Sequence, residues 1–147
     1  MDEMARIAQL NLQGFHCSQI LLILGLERQD KKNPDLIRAM TGLAGGLGFN
    51  HKICGALTGG ACLLGLYAGR GELEEKESHL LNSMIQELIL WFEERYGKTY
   101  GGIECDNILN NDPWNRMLRC PQLVIETYSE VMELLENNGF ISDGLNK

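Results

Sequence analysis

Four of the five cysteines in this sequence, Cys17, Cys54, Cys105 and Cys120, stand where helices would begin, and the fifth, Cys62, stands inside one. The free N–H groups and positive potential of a helix N-terminus favour thiolate over thiol and lower a cysteine's pKa. Cys120 before Pro121 is the clearest case, because proline suits the first helical position and would leave the thiol at the cap. Four such placements predict chemistry rather than packing. Two chemistries are open: thiol–disulfide exchange, with Cys54 as the attacking thiolate and one of the others resolving the disulfide, or a metal ion or iron–sulfur cluster held by the four thiolates. The separations match no compact zinc-finger or ferredoxin spacing, so only the fold could assemble such a centre. Cys62 is expected to pack as a small hydrophobe. It lies eight residues beyond Cys54, about 12 Å of helix rise and too far for a disulfide unless the helix breaks at Gly59-Gly60. His16 beside Cys17 and His51 before Cys54 could tune a thiol or ligate a metal, whereas His79 sits in a charged stretch and is expected to be solvated.

The elements that must position these residues read as helices throughout. Gly45-Gly46-Leu47-Gly48 leads into a run from Ile53 to Gly69 with no charged residue, which predicts a central helix covered on nearly every side. Its glycines are costly, each about 1 kcal/mol against alanine, so something must approach that backbone. Gly55 with Gly59, and Gly65 with Gly69, have the four-residue spacing of a helix-packing face; the alternative is a thiol and its partner near Cys54.

Around it, Ala5 to Leu12 predicts a first helix stopping at Gly14, and a second starts near His16 or Cys17 and ends at Gly25. Glu27 to Lys32 reads as a solvated loop. Asn33-Pro34-Asp35 is a helix start with cap, proline and dipole-matching acid in order. The acids Glu72, Glu74, Glu75 and Glu77 predict the start of a long helix whose apolar positions run from Leu80 to Phe92 and on to Tyr96-Gly97, the longest expected in the chain. Gly101-Gly102 opens an irregular link to one short turn at Glu104 to Leu109, and Asp112-Pro113-Trp114 is a turn or helix start. A last helix is expected from Cys120-Pro121 to Asn137-Asn138-Gly139, with a frayed tail after about residue 139. The expected fold is all-α: a single domain, residues 1–147, of about six helices bundled around the glycine-rich one.

A net charge of −7 argues against a nucleic-acid partner, because counterion release needs a basic surface. The uncharged run from Ile53 to Gly69 is short of a membrane span and diluted by glycine. The N-terminal residues show no signal-peptide pattern, so a reducing, cytoplasmic setting is expected, in which cysteines serve as thiols, catalytic disulfides or metal ligands. Apolar surface left over on a helical bundle would suit a homodimer.

Cys54-Gly55-Ala56-Leu57-Thr58-Gly59 resembles the signature of the C_GCAxxG_C_C family of redox-active proteins. Gly14-Phe15-His16-Cys17 resembles the family's first cysteine, Gly45 to Gly48 its glycine-rich lead-in, and Cys105 and Cys120 its two late cysteines. The resemblance spans roughly Ala5 to Leu135. It implies redox work at Cys17, Cys54, Cys105 and Cys120 and places Gly55, Ala56 and Gly59 at any cofactor bound there, with no substrate assigned. Three functions follow as expectations: a thiol oxidoreductase working with a redox partner protein, a metal or iron–sulfur protein using the same cysteines, and a non-catalytic helical interaction module.

Overall fold

The computed structural model describes residues 2–142; Met1 and most of the tail expected to fray, residues 143–147, lie outside the described residues. Its helices are α1 (Glu3–Leu12), α2 (Cys17–Arg28), α3 (Pro34–Met40), α4 (Gly55–Ala68), α5 (Leu81–Phe92), α6 (Lys98–Tyr100), α7 (Cys105–Leu109) and α8 (Asn115–Asn137). A 3₁₀ turn, Thr41–Leu43, follows α3, and a π-helical turn, Glu93–Gly97, joins α5 to α6. The fold is all-α, and no strand occurs among the described residues, where Ile53 and Glu104 form an isolated antiparallel bridge. Among those residues no helix is long and apolar enough to cross a membrane.

Helix α4 is the central element that its sequence predicts, packed against α2, α5 and α8. Its glycines admit its neighbours. A Cβ on Gly55 would lie 3.0 Å from Cys17 Sγ, and one on Gly59 would lie 3.0 Å from Ser18 Cα and from Leu21 Cδ1. On the opposite side, a Cβ on Gly60 would meet Leu88 of α5 and Thr127 of α8. At Gly55 and Gly59 both readings hold, since a helix and a thiol reach the same backbone, but the expected packing face at Gly65 and Gly69 does not: a Cβ on Gly65 would meet nothing within 4 Å, and one on Gly69 only the Gly65 backbone. Further along, a Cβ on Gly25 of α2 would strike Leu63 of α4. The start of α2 lies beside the start of α4 and the end beside the end, so the two helices run parallel. Their positive N-termini share one end of the molecule.

Two buried polar side chains hold that end together. Ser18 Oγ donates to the Met40 carbonyl at 2.9 Å, and Gln19 Nε2 donates to Thr41 Oγ1 at 2.9 Å and to the Ile37 carbonyl at 3.2 Å. Buried hydroxyl and amide groups need such partners, and here they fix α2 against the end of α3. Helix α3 starts as its sequence dictates, with Asn33 Oδ1 accepting the Leu36 N–H at 3.1 Å and Pro34 in the first turn.

Four expectations are corrected. Helix α2 continues past Gly25 to Arg28, because Gly25 is buried against Leu63 rather than ending the helix. The acids at 72–77 lie in a loop before α5, where the Glu75 carboxylate accepts the N–H groups of Gly71 and Glu72 at 2.9 and 2.8 Å. The longest helix is α8, not α5, and it starts at Asn115, so Pro121 is an interior proline and Cys120 is not a cap. The start lies upstream because Asp112 accepts the Trp114 N–H and the buried Asn115 side chain donates to the Leu109 carbonyl at 2.7 Å. Finally, Cys62 faces outward and is exposed rather than packed.

After α8, the Phe140 N–H bonds the Leu135 carbonyl and Phe140 and Ile141 lie against the core.

Candidate functional site

The end shared by α2 and α4 gathers the remaining cysteines. Cys17 is the first residue of α2, and Cys54 is the cap of α4. Cys105, first residue of α7, is brought beside them by backbone pairing between segments about fifty residues apart in the chain. The Cys54 N–H donates to the Ile103 carbonyl at 3.1 Å and the Cys105 N–H to the Lys52 carbonyl at 2.6 Å, flanking the Ile53–Glu104 bridge. Cys120 arrives from the second turn of α8.

The thiols are close enough to repel one another if ionised. Charge at Cys17 or Cys120 opposes ionisation of Cys54, charge at Cys105 opposes that of Cys17, and charge at Cys17 or Cys105 opposes that of Cys120. All five cysteines are free thiols. Among the described residues no group of three or more histidine, cysteine, aspartate or glutamate side chains is placed to hold a metal ion, so the four sulfurs converge without forming a coordination shell.

Helix N-termini alone predict lowered cysteine pKa values, but burial outweighs them at every site. Burial pushes the Cys54 thiol far above its ordinary value, opposed by the N–H groups of Ala56 and Leu57. Cys54 is only 6% exposed, which leaves the expected attacking thiolate as the deepest of the set. Burial also raises Cys17, against the Ser18 N–H, and Cys105, and pushes Cys120 up to about 12. Thiols in this environment are neutral at rest.

One cation opposes this. The positive charge of Arg116 lowers Cys17, Cys105 and Cys120. Its guanidinium lies over the Phe49 ring, 5.1 Å from the centroid. Sequence reasoning missed this residue because it starts the last helix at Cys120. With the helix starting at Asn115, Arg116 and Cys120 are four apart and share a face.

Phe49 is held by an unusual backbone. Residues 45–49 all have positive φ, between 59° and 75°, a left-handed turn that costs non-glycine residues about 1–2 kcal/mol each. Gly45 and Gly46 are obligatory in it: a Cβ on the first would sit 2.2 Å from Phe49 Cδ1, and one on the second 2.4 Å from the Lys52 nitrogen. The Phe49 ring thus covers Gly45, with His16 edge-on at 5.2 Å and Arg116 on its face. His51 is drawn away to Asp106, Nδ1 to Oδ1 2.8 Å, and His79 is exposed as expected.

A cavity of about 140 Å³ opens onto the cluster, lined by Cys17 and Cys120 together with Phe15, His16, Gly45 and Arg116. Of the four clustered cysteines, these two line the cavity. A larger cleft of about 860 Å³ lies between α1, α2 and α3 and has no cysteine in its walls. Of the residues expected at a cofactor, Gly55 and Gly59 face α2, and Ala56 is 1% exposed.

The family model described as "Putative redox-active protein (C_GCAxxG_C_C)" matches residues 15–134, a stretch that contains all four clustered cysteines. No curated protein and no solved structure matches the chain.

Proposed function

The chain belongs to the C_GCAxxG_C_C family of redox-active proteins, and from that premise we propose that it is a thiol–disulfide exchange protein whose exchanging pair is Cys17 and Cys120. The observation that carries this reading is the convergence of four thiols from distant segments on one cavity that Cys17 and Cys120 line. In the exchange, one of these sulfurs, as thiolate, attacks a disulfide of the partner; the new mixed disulfide forms as the old bond breaks and the partner's second sulfur leaves as a thiolate. The other cysteine then displaces the remaining sulfur, so that the protein's dithiol loses two electrons and two protons and the partner's disulfide becomes two thiols. Cys54 and Cys105 stand behind the pair as a reserve of neutral thiols. A reducing compartment, the cytoplasm, would keep the resting state in its dithiol form, and a redox partner protein would supply or accept the electrons.

Thiol titration combined with peptide mapping tests this. Oxidation of the reduced protein by excess small disulfide is expected to remove two free thiols beyond that of the exposed Cys62 and to yield a Cys17–Cys120 cross-link, and Cys17→Ser or Cys120→Ser is expected to stop at a mixed disulfide. Retention of all five thiols, or cross-linking only through the exposed Cys62, would refute the proposal.

A further inference from the structure

We infer that the thiol cavity selects small disulfides and thiols that carry a carboxylate, with Arg116 as the group that receives it; this rests on the exchange reading above. Four other basic side chains near the surface, Arg6, Arg38, Arg95 and Lys98, are paired with carboxylates. Arg116 has no carboxylate partner among the described residues. It is half-buried, its guanidinium lies over the Phe49 ring, and it lines the cavity beside both Cys17 and Cys120. The cavity wall contains no aspartate or glutamate, although the protein as a whole carries a net charge of −7. A guanidinium's planar fork matches a carboxylate in two parallel hydrogen bonds, and its charge is felt most where water is scarce. The cavity's volume of about 140 Å³ restricts the occupant to something well below drug size. Apart from Asn11 and His16, the rest of the wall is apolar, with Phe15, Ile20, Pro121 and Val124 among it, and suits a short alkyl chain between the carboxylate and the reacting sulfur.

The test uses the reduced protein and three probes of like size: dithiodiglycolate as the anion, 2-hydroxyethyl disulfide as the neutral case and cystamine as the cation. Each oxidation rate is divided by that of a free thiol with the same probe, which removes the probes' own reactivity. At low salt the anion is expected to be favoured over the cation by about tenfold, against the sign of the protein's net charge, and added salt is expected to shrink that ratio. Arg116→Gln is expected to abolish the preference and Arg116→Lys to keep part of it. Lys98→Gln, which changes net charge equally at an exposed site outside the cavity, is expected to leave the preference unchanged. Equal normalised rates for the three probes, or a preference that survives Arg116→Gln, would overturn the assignment while leaving thiol exchange standing. If Arg116→Gln does not fold, the wild-type ratio and its salt dependence decide. Failure of every probe to oxidise the protein would instead remove the exchange reading and this inference with it.

Discussion

The two ends of helix α4 carry the same residue types in opposite circumstances. At its start Cys54 is buried among other thiols, and Gly59 is pressed against Ser18 and Leu21 of α2. Two turns on, Cys62 is exposed, and a Cβ on Gly65 would touch nothing within 4 Å. Neither the cysteine nor the glycine has a role of its own; each takes one from the element packed beside it. Helix α2 runs beside both halves of α4, so the difference lies in the face each residue occupies: Gly55 and Gly59 turn toward α2, whereas Gly65 turns toward open space and Cys62 toward solvent.

That contrast can be broken most severely at Gly59. Gly59→Leu is expected to lower unfolding stability by about 3 kcal/mol or more in a denaturant titration, because the clash is with α2 backbone that cannot rotate away. Next in size, alkylation of the native protein should modify Cys62 roughly a hundredfold faster than Cys54, whose sulfur is reached only through local opening. Mass mapping over time reads the ratio, and equal rates would erase the distinction between the two ends.

Alkaline pH gives a third handle. The folded-state pKa of Cys54 lies above the unfolded one because burial favours the neutral thiol. Its stabilising share is therefore complete below about pH 8.5 and is lost as pH rises from there, with a slope of at most about 1.4 kcal/mol per unit. Cys54→Ala should flatten the fall in melting temperature between neutral and alkaline buffer. The smallest effect is expected at the other end, where Gly65→Ala should stabilise the protein by about 0.5–1 kcal/mol through helix propensity and a less flexible unfolded chain.

Much of the architecture was legible because its causes are local. Asn33-Pro34 caps α3 by chemistry contained in four residues, and the uncharged run of α4 demands cover whatever the neighbours are. The misreadings share a different origin. Pro121 looks like a first helical residue until the Asp112-Pro113 start is given precedence, and then Arg116 falls into register with Cys120. The acids at 72–77 have the charge of a helix start, yet the Glu75 side chain turns back to bond the preceding N–H groups and makes a loop instead. Cys54 illustrates the third limit: its cap position is visible in the sequence, but the burial that reverses its acidity comes from residues far away in the chain. What could not be read at all was the pairing of residues 51–54 with 103–106, which no periodicity announces.

That pairing has a consequence for how the protein comes into being. It closes a loop of about fifty residues with few bonds, at an entropic cost that only docked helices on both sides can offset. A nascent or partly denatured chain therefore carries scattered, ordinary thiols, and Cys105 joins Cys54 only where these two distant segments pair.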